Sequence, residues 1–181
     1  MKYLLLSVFL LINQVDGFAQ KKTPFVFNSY NSFGFVAGQS PLAVTLQTVN
    51  GVTFDKWFVG AGFGMDDYFE RSLPVFIDVK RAFEFKKSHL FLYADAGSHL
   101  ILKDNKKINP FSSFSTSGNL YIDAGMGIKI KTSRKSHLFF SIGNTLKNIT
   151  ETETSIDTGF PYKNETVYKL SRISFRMGYQ F

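Results

Sequence analysis

The C-terminal end of the chain shows a strict alternation of side chains with a period of two. Every second residue from position 173 onward is apolar, namely Ile173, Phe175, Met177, Tyr179 and Phe181. The residues between them are polar, charged or glycine, namely Arg172, Ser174, Arg176, Gly178 and Gln180. Side chains of a β-strand point alternately to its two faces, so a period of two over this length indicates a strand. This strand has one apolar and one polar face, and each face needs a different environment.

The same alternation recurs along most of the chain. We predict seven earlier strands, at residues 29–38, 42–54, 57–66, 73–80, 90–100, 120–131 and 138–143. Together with the last strand they make eight strands, and no segment has the pattern of a helix. Eight antiparallel strands can close into a barrel, in which no strand keeps an unpaired edge. The sequence therefore predicts an all-β fold, an eight-stranded antiparallel up-and-down β-barrel.

The residues opposite the apolar stripe indicate which face points inward. That face carries Ser, Asp, Lys and Arg together with many glycines, which are Gly34, Gly60, Gly62, Gly64, Gly97, Gly125, Gly127, Gly143 and Gly178. Glycine weakens a strand, so a solvated outer wall has no reason to prefer it, whereas a narrow interior requires small residues. We therefore expect a transmembrane β-barrel with its apolar face toward lipid and a polar, filled interior. The alternative is a soluble lipid-binding barrel with the apolar face inside.

The first residues have the features of a cleavable signal peptide. Lys2 precedes an apolar run at residues 3–12, and Gly17 and Ala19 form the small-x-small arrangement of a cleavage site. The run is too short to span a bilayer, since a transmembrane helix needs about 20 apolar residues. We expect cleavage after Ala19, so that residues 1–19 are the signal peptide and residues 20–181 the barrel domain. The alternative is an uncleaved N-terminal anchor.

Composition excludes several kinds of chemistry. The chain of 181 residues has no cysteine, which removes disulfides, thiolate catalysis and iron–sulfur clusters. Its three histidines do not cluster, so we expect neither a metal centre nor a cofactor. The formal net charge is +7, but the basic residues are scattered and form no long run, so no nucleic-acid partner is expected.

Charged residues of both signs fall on the predicted inner face: Asp78, Lys80, Asp95, Asp123, Lys129, Arg172 and Arg176. An isolated buried charge costs several kcal/mol, so buried charges persist when they are paired. We therefore predict a lumen charge network that closes the barrel, in which Asp123 pairs with Arg172 or Arg176. Lys80 or Lys129 is expected to pair with Asp78 or Asp95. The alternative, a charged pore, needs more room than the interior of about eight strands offers.

Short segments rich in glycine and aromatic residues recur along the chain. They are residues 17–20, 59–64, 73–76, 123–127 and 176–181, with the sequences GFAQ, VGAGFG, LPVF, DAGMG and RMGYQF. Together they make most of residues 29–181 resemble the outer-membrane β-barrel domain family of Gram-negative bacteria, with the architecture of the small outer-membrane protein A and X types. The family's roles are diverse, so the resemblance implies no activity.

The resemblance does imply a location and partners. It implies an outer-membrane protein, monomeric, with periplasmic termini and extracellular long loops, in contact with outer-membrane lipid and lipopolysaccharide. It also implies that Tyr179 and Phe181 are an assembly signal read by the outer-membrane assembly machinery, after escort by periplasmic chaperones.

Two long connections, at residues 103–117 and 148–167, are expected at the outer end of the barrel. Lys103, Lys106 and Lys107 make the first basic and able to contact lipopolysaccharide phosphates. The second is acidic and able to hold divalent cations, through Glu151, Glu153, Asp157 and Glu165. Short turns at residues 55–56, 84–88 and 132–136 are expected at the opposite end.

Three functions from different classes remain open. The leading hypothesis is a non-enzymatic barrel with a structural or surface-interaction role, and the second is a narrow channel. The third is a lipid A-modifying enzyme, in which His99 near the outer rim would act with Ser112, Ser113 or Ser115. No sequence motif supports this third hypothesis.

Overall fold

The computed structural model describes residues 24–38, 41–67, 69–85, 88–102, 112–134, 136–155 and 162–181. The predicted signal peptide lies outside these residues. Eight β-strands follow one another: β1 Val26–Ala37, β2 Ala43–Phe54, β3 Trp57–Asp66, β4 Ser72–Phe85, β5 Ser88–Ile101, β6 Ser112–Lys131, β7 His137–Ser155 and β8 Lys163–Gln180. Within the described ranges, no helix is long and apolar enough to cross a membrane.

The eight strands form one antiparallel sheet that closes on itself. Each strand pairs with its neighbours in sequence, and β1 pairs with β8 over Tyr30↔Gln180 to Ala37↔Ile173. The closure extends one residue further, because the backbones of Ser29 and Phe181 exchange hydrogen bonds of 2.8 and 3.1 Å. The predicted eight-stranded barrel is confirmed. The lower end of the barrel is the end that holds the start of β1, the end of β8 and the β2–β3 turn. The opposite end is the upper end.

Alternation of exposed and buried residues defines the two faces of the wall. In β3, residues 57, 59, 61, 63 and 65 are exposed on the outside, and residues 58, 60, 62, 64 and 66 are buried inside. Glycine on the inner face makes room for rings from other strands. A Cβ at Gly62 would lie 2.5 Å from the Phe76 ring, and one at Gly127 or Gly143 would collide with Phe91 or Tyr93. Small residues therefore allow large ones to fill a narrow lumen.

The interior is filled, as predicted, but aromatic rings share it with the polar groups. One buried cluster combines a valine with seven aromatic residues: Tyr30, Val49, Phe58, Phe76, Phe91, Tyr93, Tyr121 and Phe139. The ring of Tyr30 packs edge-on against Phe58 and Phe139, at centroid distances of 4.8 and 5.6 Å. These rings fill the lumen beside its charged groups.

Strands β6, β7 and β8 extend above the rest of the wall. The top of β5 pairs at Ser98↔Leu120, whereas β6 continues upward to Ser112, opposite Ser155 of β7. The prediction of long loops is wrong at their flanks, because residues 112–117, 148–155 and 163–167 are strand. Glu151 and Glu153, predicted as loop residues, therefore lie in β7, and Glu165 lies in β8. Lys103, Lys106, Lys107 and Asp157 lie outside the described residues.

Candidate functional site

The centre of the lumen is organised by the guanidinium of Arg176. Its Nη1 lies 3.4 Å from Asp95 Oδ2, and its Nη2 lies 3.2 Å from Asp123 Oδ2. It also donates a hydrogen bond to the side-chain oxygen of Gln47 and lies 4.6 Å from the centroid of the Tyr93 ring. A planar guanidinium can donate in several directions at once, so one side chain holds groups from several strands together.

Asp123 is the carboxylate with the most partners at this level. It accepts hydrogen bonds from Tyr93 Oη at 2.9 Å, Thr145 Oγ1 at 2.8 Å and Ser174 Oγ at 3.3 Å. Together with Arg176, these donors surround a side chain that is 1% exposed. The ion pair predicted between Asp123 and one of two arginines is present, and Arg176 is the partner.

Arg172 also faces the lumen but reaches elsewhere. In the sheet register, Thr145 lies opposite both Asp123 and Arg172. The Nη1 of Arg172 donates to the Pro41 carbonyl, 3.3 Å away, at the upper connection between β1 and β2. The residue is buried, and it links the lumen to the upper rim.

A second charged level lies on the lower side of the Arg176 group and shares a small cavity with it. Lys80 and Asp78 form an ion pair, as the sequence predicts for this level. Lys129 Nζ donates a hydrogen bond to Tyr30 Oη at 2.5 Å. The ammonium groups of both lysines lie close to the Tyr30 ring, at 4.7 and 4.8 Å from its centroid.

A third charged level, which is not predicted from the sequence, lies near the upper end. Lys147 Nζ lies 2.5 and 2.6 Å from the two carboxylate oxygens of Asp66 and 2.7 Å from Ser72 Oγ. All three residues are buried. The alternation of β7 does indicate that Lys147 faces inward, because it lies two residues after Thr145 and four after Gly143, which both face the lumen. The apolar alternation of the strand ends at residue 143, so the pattern does not extend clearly to Lys147.

His99 is buried against backbone atoms of two neighbouring strands. Its Nε2 lies 3.2 Å from the Asn119 nitrogen, which donates to it, and 3.0 Å from the Asn148 carbonyl oxygen. In the described part of the chain, no hydrogen bond joins the ring to the hydroxyl of Ser113 or Ser115. The ring therefore contacts the backbones of β6 and β7.

The charged levels leave little empty space between them. The cavity that Arg176 shares with Asp78, Lys80 and Tyr93 has a volume of only about 20 Å³. A single buried water needs roughly 10–15 Å³ of such space. At this level the lumen is packed with side chains.

No family model matches the sequence, and no curated protein matches it either. The fold is similar to that of the N-terminal β-barrel domain of Pseudomonas aeruginosa OprF, with a TM-score of 0.52 and 12% identity over 86% of this chain and 97% of that one. It is also similar to outer membrane protein AlkL, solved in lipid bilayers, with a TM-score of 0.55 and 12% identity over 92% and 93% of the two chains.

A third similar structure is a major outer membrane protein from Thermus thermophilus. Its TM-score is 0.51, at 14% identity over 87% of this chain and 98% of that one. At such identities the likeness is one of fold, and it agrees with the resemblance found in the sequence. The chain has the fold of the small outer-membrane β-barrel proteins.

Proposed function

We propose that this protein is a small integral outer-membrane β-barrel with a structural or surface-interaction role and no catalytic activity. The observation that carries the proposal is an exposed apolar wall around a filled, charged lumen. Such a wall suits a bilayer, and such a lumen suits a barrel that is closed along its axis.

Large apolar side chains lie on the outer face of all eight strands. Large apolar side chains such as Leu46, Ile77 and Ile142 are about half exposed, at 47%, 55% and 47%. Soluble monomers rarely expose contiguous apolar patches larger than a few hundred Å². A closed apolar band is the surface that a transmembrane barrel presents to lipid, whereas a soluble lipid-binding barrel would need its apolar face inside.

The filled lumen favours a structural role over conduction. Side chains connect strands across the centre through the contacts of Arg176 with Asp95 and Asp123. The buried cluster that contains Tyr30 fills further space in the lumen. An eight-stranded barrel has an interior just wide enough for its side chains. Charges that pair with each other across this interior stabilise the closed wall and are not free to line a water-filled path.

We place the lower end with the termini in the periplasm and the upper end outside the cell, in contact with lipopolysaccharide. The upper extension of β6, β7 and β8 would then stand outside the membrane. It carries a contact between Tyr168 Oη and Glu151 at 3.1 Å, and the Tyr168 ring packs on Phe69 at 5.3 Å. A rigid sheet is a better platform for surface interactions than a free loop, because less entropy is lost when it binds.

Membrane fractionation tests this proposal. We expect the mature chain to fractionate with outer membranes and to need detergent for extraction. Its migration in electrophoresis should change on heating, and its circular dichroism in detergent should be that of a β-sheet protein. A monomer that is soluble without detergent would contradict the proposal and would favour the soluble binding barrel.

A further inference from the structure

A cavity opens into the lumen at the lower end of the barrel. Its volume is about 250 Å³, or roughly eight waters at about 30 Å³ each. It is lined by Tyr30, Phe58, Lys80 and Lys129 together with Asn28 and Gln180, and the exposed turn residues Asp55 and Lys56 also line it. This cavity is more than ten times the size of the one beside Arg176, so it is a distinct feature of the lumen.

Two ammonium groups are buried at this cavity. Lys80 is 7% exposed and Lys129 is 9% exposed, and both lie within 5 Å of the Tyr30 ring centroid. Asp78 pairs with Lys80. For Lys129 the hydrogen-bond partner is the neutral Tyr30 phenol, and no ion pair to a carboxylate is formed within the described ranges. The buried part of the cavity therefore has two ammonium groups close to one paired carboxylate, and the exposed Asp55 and Lys56 add one charge of each sign.

The polar side of the cavity also has unused bonding capacity. Gln180 is 8% exposed, and its Nε2 donates to Asn28 Oδ1 at 2.8 Å. Its Oε1 is buried and has no hydrogen-bond partner in the described part of the chain. A buried polar atom without a partner costs free energy unless a ligand or water satisfies it. A ligand with both a negative charge and a hydroxyl group would satisfy Lys129 and Gln180 together.

We propose that the lower cavity is a binding site for a compact oxyanion that also carries a hydroxyl group, such as monohydrogen phosphate or a small hydroxycarboxylate. The anion would accept hydrogen bonds from Lys129 and lie in the field of Lys80, and a protonated oxygen of phosphate could donate to Gln180 Oε1. Hydrogen bonds between ionised partners are about twice as strong as neutral ones, and they gain further strength in a buried site. The open side of the cavity faces the lower end, so the ligand would come from that side of the membrane.

Titration calorimetry with inorganic phosphate tests this site. The full barrel is folded in a maltoside detergent, which has no phosphate group, and chloride at equal ionic strength serves as the control. We expect saturable binding of one phosphate per barrel and no comparable signal with chloride. Competition with acetate, which has no hydroxyl group, then tests the contact with Gln180: we expect little displacement of phosphate, and full displacement at equal concentration would overturn that contact.

Three variants locate the site. Lys129→Gln removes the central charge and should weaken phosphate binding by about tenfold or more, since a hydrogen bond to a charged group contributes about 1.5–3 kcal/mol. Lys169→Gln, the same change at an exposed position on upper β8, should leave the affinity within about twofold. Ala82→Phe fills the cavity while keeping both lysines, and it should abolish binding.

The outcomes separate the proposal from non-specific attraction. Absence of saturation, an equal response to chloride, or unchanged affinity in a folded Lys129→Gln variant would each overturn it. If Lys129→Gln does not fold, Ala82→Phe decides: wild-type affinity in that variant places the bound anion elsewhere and overturns the proposal.

Discussion

Arg176 of β8 joins groups from three other strands at the centre of the lumen. It contacts carboxylates of β5 and β6, an amide of β2 and an aromatic ring of β5. Lysine could not reproduce this arrangement, because an ammonium lacks the planar, forked donor geometry of a guanidinium. The stability of the centre therefore depends on shape as well as on charge.

Removing Asp123, one of the two carboxylate partners of Arg176, should destabilise the barrel strongly. Asp123→Ala leaves Arg176 with less compensation and deprives three hydroxyl donors of an acceptor. Breaking one side of a buried ion pair typically costs about 3–5 kcal/mol. We expect a lower midpoint of urea unfolding in lipid vesicles, by an amount equivalent to about that free energy.

Asp67→Ala is the matched control, because Asp67 pairs with Arg71 at 2.7 Å on the surface. Surface pairs contribute about 0–1 kcal/mol, so this variant should unfold close to the wild type. Asp123→Asn keeps the size of the side chain and should lie between the two. Equal midpoints for Asp123→Ala and Asp67→Ala would mean that the central network does not stabilise the barrel.

At the scale of single residues, the sequence predicted whether a charged side chain faces inward or outward better than it predicted which group that side chain contacts. Alternation with period two fixes whether a side chain points in or out, so Asp123 and Arg176 were both placed inside. It does not say how far a long side chain reaches along the barrel axis. Asp123 and Arg172 both lie opposite Thr145 in the register. Arg172 nevertheless bonds to the carbonyl of Pro41.

Among the strands, β6, β7 and β8 differ from the others because they continue past the apolar wall. Within the wall, one face meets lipid and the other fills the lumen, which produces the alternation that predicted eight strands. Above the wall, β7 has no apolar face, and its sequence there is Thr150, Glu151, Thr152 and Glu153. A strand in water on both faces needs no such period, so these segments had the composition of loops.

The last strand allows a prediction about assembly. Phe181 directly follows β8 and is 56% exposed, and its backbone completes the pairing with β1. Deleting Phe181, or changing it to alanine, should lower the fraction of chain that shows heat-modifiable migration in outer membranes, while export to the periplasm continues.

Phe175→Ala provides the control for this experiment. Phe175 is also on the outer face of β8 and is 48% exposed, but it lies within the strand. If the terminal position matters for recognition, the folded fraction should fall more for Phe181→Ala than for Phe175→Ala. Equal folded fractions would show that the terminal aromatic is incidental to assembly.

For the whole molecule, three charged levels and a cluster of buried aromatic rings fill the lumen. The upper level joins Lys147 to Asp66, the central level surrounds Arg176, and the lower level joins Lys80 to Asp78. Ions would have to pass all three levels, and the cavity beside Arg176 holds about 20 Å³. The open lower cavity thus ends below a packed centre.

This packing predicts that the barrel does not conduct ions in its folded state. In a planar bilayer, the purified wild-type protein should show no steady single-channel current, whereas an open porin reconstituted in the same way should show one. Arg176→Ala combined with Tyr93→Ala removes the two largest groups at the narrowest level, and it should produce a measurable conductance if it folds.

Arg81→Ala is the control, because Arg81 is an exposed residue lying 5.0 Å from the Trp57 ring on the outer wall. Steady, ion-selective currents from the wild type would contradict the packed centre and would favour the narrow channel, because a conducting path needs continuous water where the structure places Arg176 and its partners.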